Sequence, residues 1–231
     1  MIETITRQGP GTHPSGACTP EGRITRSLLG YGLLAGPFYV AVSLAQAFTR
    51  DGFDLTRHEW SLLANGPGGW VQVANLVLTG AMVVAAAAGF RRSLGRGPAA
   101  GWAPRLLAVY GVALVAAGLL RADPMNGFPI ATPDGPPVHP SVHGTLHMIA
   151  GGVGFLALVA VTWLLGGRLR AEGRRLQAAW TRATGVVFLV AFAGIASGAA
   201  SPVVNLTFTA AVVLTWGWLS LASLRQYQAV V

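Results

Sequence analysis

The segment from 121 to 152, RADPMNGFPIATPDGPPVHPSVHGTLHMIAGG, gathers two aspartates, three histidines and an arginine. His143 and His147 stand four positions apart, so a helix places them on one face, about one turn from each other. That spacing suits two metal ligands. Asp123 could join them from a neighbouring helix end, with His139, His58 and Glu59 as further candidates. A shell of His143, His147 and Asp123 with an open position would hold zinc and activate water. The same residues have a plainer use. Paired histidines near a membrane interface anchor a helix or bond to loop carbonyls, and H-x-x-x-H without the glutamate of the zincin motif carries little specificity. Arg121 could pair with Asp123 as a clamp between a helix end and the following loop. Ser61, in WSLLA, is a candidate nucleophile with no assignable base; capping a helix is its alternative.

These groups need elements to position them, and composition says which. The 231 residues are 52% hydrophobic and 10% charged, against about 25% charged in a soluble domain. So few charges cannot cover a soluble surface, so the chain reads as an all-α, polytopic membrane protein. All sixteen basic residues are arginine, a codon-usage hint of a GC-rich bacterium and hence of a bacterial plasma membrane. The arginines sit between apolar runs and form no basic face, so nucleic acid is not the expected partner; membrane lipids are. Cys18 is the only cysteine, which rules out a disulfide within one chain. The first 26 residues are expected to form a disordered cytoplasmic tail.

A spanning helix needs roughly 20 mostly apolar residues. Six stretches qualify, about 27–48, 69–90, 102–120, 141–166, 183–200 and 202–224, within one domain over 27–225. Pro202 suits the first turn of the last helix, where its missing N–H costs nothing, so the last two helices read as a tight hairpin. With six crossings, thirteen arginines fall on one side of the membrane. The other side receives Arg50, Arg57 and Arg121. Basic loops favour the cytoplasm, which puts both termini there. Asp51, Asp54, Glu59, Asp123, Asp134 and the histidines at 58, 139, 143 and 147 then face outward.

The connecting segments carry their own expectations. GFPIATPDGPPVHP holds too many prolines for a helix, yet it contains Phe128, Ile130 and Val138; it reads as an ordered lid over the outer end of the bundle. WSLLA is expected to dip into the interface with Trp60 at headgroup level. RLRAEGRRLQAAWTR reads as a basic amphipathic segment on anionic headgroups, or as a continuation of the fourth helix. Gln72, Asn75 and Asn205 should hydrogen-bond across helices or line a cavity. Gly32/Gly36 and Gly194/Gly198 have small-xxx-small spacing. It serves packing within the chain, with a homo-oligomer through these faces as the other use.

The stretches RHEWSLLANGPGGWVQVANLVLTG, RADPMNGFP and HGTLH resemble the six-helix bacterial membrane family catalogued as domain of unknown function 998. In that family a serine-containing first outer loop precedes a Gly-rich second helix, an Asp-Pro follows the third, and histidine opens the fourth. Here these fall on Ser61, Asp123, Pro124, and His143 or His147. The resemblance covers about 27–224 and implies a fold and an outer-face site, with no established activity. A second similarity is to the seven-helix membrane hydrolases that include alkaline ceramidases and adiponectin-type receptors, which set three histidines, an aspartate and a serine around zinc. This chain shares an H-x-x-x-H and an Asp-Pro with them. It lacks a seventh helix, and its histidine pair falls mid-chain.

Three functions follow as expectations. The first is an integral membrane protein with an outer-face polar pocket for a lipid-like or other hydrophobic ligand. The second is a metal-dependent hydrolase acting on an outer-leaflet lipid, and the third a small-solute transporter. No span carries a charge near its centre, which weighs against ion-coupled transport. The orientation is testable by itself. Single cysteines introduced at 168–182 should react with impermeant maleimide only after the cells are opened; labelling of intact cells would reverse the topology.

Overall fold

Six apolar rods can share a bilayer only if each satisfies its own backbone, which is why the chain is helical wherever it is apolar. A computed structural model describes residues 19–199 and 201–230. The helices are α1 (Pro20–Thr49), α2 (Gly69–Ser93), α3 (Pro98–Leu119), α4 (Val142–Ala171), α5 (Arg175–Ala196) and α6 (Pro202–Ala229). All six are long and apolar enough to cross a membrane. A short 3-10 helix, Trp60–Ala64, sits between α1 and α2. Most of the expected tail lies outside the described residues. Its last part is helical, because Thr19 Oγ1 accepts the Gly22 N–H at 3.1 Å and Pro20 takes the first turn.

Successive helices pack side by side, and α1 closes the ring on α6. Arg26 stacks 4.5 Å from the centre of the Tyr227 ring, so the first and last helices meet end to end at one pole. Arg92 Nε donates to Thr25 Oγ1 at 2.9 Å, and Arg168 Nη1 to the Leu94 carbonyl, at that same pole. There Arg105 lies 5.6 Å from the Trp102 ring and Arg182 5.5 Å from the Trp163 ring, the aromatic and cationic pairing of an interface belt. The 50–68 and 120–141 connections and the end of α5 lie at the opposite, capped pole. Leu34, Leu78, Val112, Leu156 and Val190 are exposed on the bundle's flank, as a surface facing hydrocarbon requires.

Close approach is set by glycine. A Cβ on Gly80 would strike the Gly111 carbonyl, and one on Gly111 the Gly80 carbonyl, so α2 and α3 touch backbone to backbone. Gly32 and Gly36 admit Ser223, Ser220 and Trp216 of α6, which places the first small-residue pair inside the chain. The second pair is not a helix face. Helix α5 ends at Ala196, and Gly198 turns the chain with φ of 76°. The 168–182 segment takes the second of its two expected forms: it continues α4 to Ala171 and, after Gly173 at φ of 77°, begins α5 at Arg175.

Polar side chains inside the spans find each other. Gln46 Nε2 donates to Gln72 Oε1 at 2.7 Å; Asn75 Nδ2 donates to Ser43 Oγ at 3.1 Å and to the Tyr39 carbonyl at 3.2 Å. This cluster fixes the register of α1 against α2. Such contacts are worth about 0.6 kcal/mol each in a bilayer. Gly80→Leu should therefore cost more than the polar contacts do, about 1–3 kcal/mol through overpacking at the α2–α3 crossing. Gly217→Ala, with open space around it, should be neutral. Thermal unfolding in detergent checks both; equal midpoints would contradict the backbone contact.

Candidate functional site

His147 is 6% exposed, and its Nδ1 lies 2.9 Å from the carbonyl oxygens of Ala117 and Leu120 at the end of α3. A nitrogen between two acceptors carries the hydrogen, so the neutral ring keeps its lone pair on Nε2. His143, one turn earlier, is exposed. Asp123 accepts from the Ser141 backbone N–H at 2.8 Å and from Ser141 Oγ at 2.6 Å, while Ser141 Oγ accepts from Gly144 N at 2.9 Å. The carboxylate lies so close over Gly144 that a Cβ there would collide with it. Asp123 is thus a cap on the positive end of α4, and its partner is Ser141 where Arg121 was expected. The sequence places His143, His147 and Asp123 near one another, but the structure turns them to different tasks. Among the described residues no group of three or more His, Cys, Asp or Glu is placed to hold a metal ion.

The two long connections at the capped pole are knitted together. Arg50, at the end of α1, donates to the Leu63 carbonyl at 2.9 Å and the Asn65 carbonyl at 2.6 Å, and so caps the 3-10 helix with a cation. Asn65 Nδ2 donates to the Ala122 carbonyl at 3.0 Å. Arg57 pairs with Asp134 at 2.5 Å across the loops. Phe53, His58 and Phe128 pack ring against ring, with centroids 5.1–5.5 Å apart. Asn205 of α6 reaches the Thr56 carbonyl at 3.1 Å, so its bond goes to a loop and not to a helix. Of the apolar residues in the proline-rich segment, Phe128 is buried against the first loop, while Ile130 and Val138 stay exposed.

A cavity of about 190 Å³ is bounded by the 3-10 helix and all six transmembrane helices. Its wall is mostly apolar, with Phe155, Phe188, Phe192 and Phe208 forming a connected cluster on α4, α5 and α6. A second run of rings, Trp60, Tyr39, Trp216 and Tyr110, follows with centroids 5.8, 5.3 and 5.7 Å apart. Trp60 is 5% exposed, so it is packed inside and not held at headgroup level. Its indole N–H is buried without a hydrogen-bond partner. Glu59, Ser61 and His147 bring polar atoms to the same wall. Burial pushes the Glu59 carboxyl above its ordinary value, opposed by its own backbone N–H. Sequence reading found Ser61, Glu59 and His147. It missed the rings of α1, α3 and α6; the available signal was tyrosine and tryptophan mid-span, away from the interfaces they usually occupy.

Comparison of the chain with family models decides its kinship. The model described as protein of unknown function (DUF998) matches residues 33–225. The chain belongs to the DUF998 family. No curated protein and no solved structure matches it. This DUF998 chain is therefore a multi-pass membrane protein by its family and by its six candidate spans.

Between these DUF998 loops, His58 is the pH-sensitive group. It is 1% exposed; Nδ1 accepts the Asp54 N–H at 2.9 Å and Nε2 donates to the Asn126 carbonyl at 2.9 Å. Burial pushes the imidazole below its ordinary value, against the raising effect of the Asn126 carbonyl; Arg57 lowers it further and Asp54 raises it. A proton on Nδ1 would also face a donor. The unfolded chain takes up that proton near pH 6.5 and the folded chain only at lower pH, so stability falls as pH drops through that window. Asp54, held below its ordinary value chiefly by the Thr56 hydroxyl and amide, acts in a more acid range. Unfolding midpoints in detergent should decline from pH 7.5 to 5.5, and His58→Gln should flatten that decline. An identical slope in the variant would remove His58 from the account.

Proposed function

We propose that this DUF998 protein takes up the apolar part of a lipid-like molecule in the cavity, with the molecule's polar end beside Glu59, Ser61 and His147. One observation supports this above the others. The wall is mostly aromatic and aliphatic, and Glu59, Ser61 and His147 are among its few polar residues. The His147 Nε2 lone pair offers an acceptor to that polar end. Exposed Met148 and half-buried Gly151 and Gly152 of α4 belong to the same wall, so the cavity reaches the bundle's flank, where a chain enters from the bilayer. With the arginine-rich pole in the cytoplasm of a bacterial plasma membrane, the ligand comes from the outer half of the bilayer. The reading of a metal-dependent hydrolase needs three protein ligands around one ion, which the positions of His143 and Asp123 do not favour.

Gly151 lines the cavity with open space around its Cα, so a phenyl ring there fills the void without displacing backbone. Tritiated 1-octanol, measured on protein in nanodiscs against empty nanodiscs, should saturate at about one molecule per chain. Gly151→Phe should weaken that binding at least tenfold. Uptake that never saturates, and is the same in both proteins, would refute the proposal.

A further inference from the structure

The cavity has a sign as well as a shape. The chain holds sixteen arginines, yet none lines the wall. The arginines nearest in the fold are committed elsewhere: Arg50 to the carbonyls of Leu63 and Asn65, Arg57 to Asp134. Arg121 is exposed. The wall's ionisable side chains are Glu59, His147, Tyr39 and Tyr110. His147 already spends its N–H on two carbonyls, and a second proton would place a charge among aromatic rings. The ion pairs among the described residues, Arg57–Asp134 and Arg168–Glu172, leave Glu59 without a cationic partner. It belongs to a wall that also carries the run Trp60–Tyr39–Trp216–Tyr110, of which Trp60 is its neighbour in sequence. Ring faces attract organic cations, and a set of rings beside one carboxylate is the usual arrangement for an ammonium group. An anionic head would meet a carboxylate and no arginine.

Resting on the uptake proposed above, we infer that the ligand is a lipophilic cation: an organic ammonium on an apolar chain, its charge set between the Glu59 carboxylate and the ring wall. The phenylalanine cluster of α4, α5 and α6 receives the chain. A protonated amine has the further option of donating to His147 Nε2. A quaternary ammonium relies on the rings and the carboxylate alone.

Competition against tritiated 1-octanol on the nanodisc-held protein tests the sign. The competitors are octyltrimethylammonium, octyl sulfate and unlabelled 1-octanol, which share a chain and differ in charge. The cation should displace the label at a concentration at least tenfold below that of the alcohol, and the sulfate should be the weakest. Glu59→Gln should close the gap between cation and alcohol, and Glu59→Asp should keep most of it. Trp216→Leu should weaken the cation severalfold. Equal potency of all three competitors on the wild-type protein would overturn the cation assignment while leaving chain uptake standing. A stronger sulfate would overturn it too. Absence of any saturable octanol site would overturn both readings. The wild-type comparison decides the sign even if a variant fails to fold.

Discussion

Inside a bilayer, water is not there to complete a hydrogen bond, and the rest of this structure depends on that fact. Each polar group in the hydrocarbon must be answered by another part of the chain. The backbone is answered by the helices. The side chains are answered by clusters such as Gln46, Gln72, Ser43 and Asn75, whose bonds of 2.7–3.2 Å hold α1 to α2. The apolar effect that folds soluble proteins gives little reason for one helix to prefer another here. Pairing is left to polar contacts and to backbones that approach closely at Gly80 and Gly111 or at Gly32 and Gly36.

The same demand shapes the capped pole. A helix end leaves carbonyls or N–H groups without partners, and at this pole the partners come from neighbouring elements. The end of α3 offers the carbonyls of Ala117 and Leu120 to His147 of α4. The start of α4 is covered by Asp123, from just beyond α3. The end of the 3-10 helix is covered by Arg50 from α1. These exchanges tie α1, α3 and α4 to the two long loops. They leave the 3-10 helix pressed into the bundle mouth, with Trp60 against Tyr39. Of the groups in these ties, Ala117 and His147 also line the cavity.

Much of this was legible in the sequence, and the parts that were not share a cause. The six spans follow from run length, because a bilayer sets a minimum and no soluble alternative competes. Pro202 marks a helix start because its backbone chemistry is local. Gln72 and Asn75 could be assigned to cross-helix bonds because nothing else in hydrocarbon would pay for them. Asp123 kept two readings and Trp60 was misplaced, for the opposite reason. Whether a carboxylate caps a helix or binds a metal depends on Ser141, 18 positions away. Whether Trp60 sits at the headgroups or in the core depends on the room left by Tyr39 and Trp216, and period and composition carry no record of that. The charge-bearing residues were all visible as candidates. What stayed hidden was which of them would be consumed by folding.

That division gives the site its character. His143 is turned to solvent, Asp123 is used on a helix start, and Arg50 and Arg57 are used on the loops. Glu59 faces the cavity with its own backbone N–H as its partner, and burial raises its carboxyl. Trp60, next in sequence, keeps a buried N–H without an acceptor. Other buried polar atoms also stay without a partner, among them Asn205 Oδ1 and Ser220 Oγ, but Glu59 and Trp60 are adjacent and both belong to the cavity wall. Neither contributes to holding the helices together in the way that Gln72 or Arg50 does. Under the uptake proposed above, Glu59 is the carboxylate of that wall left for a ligand.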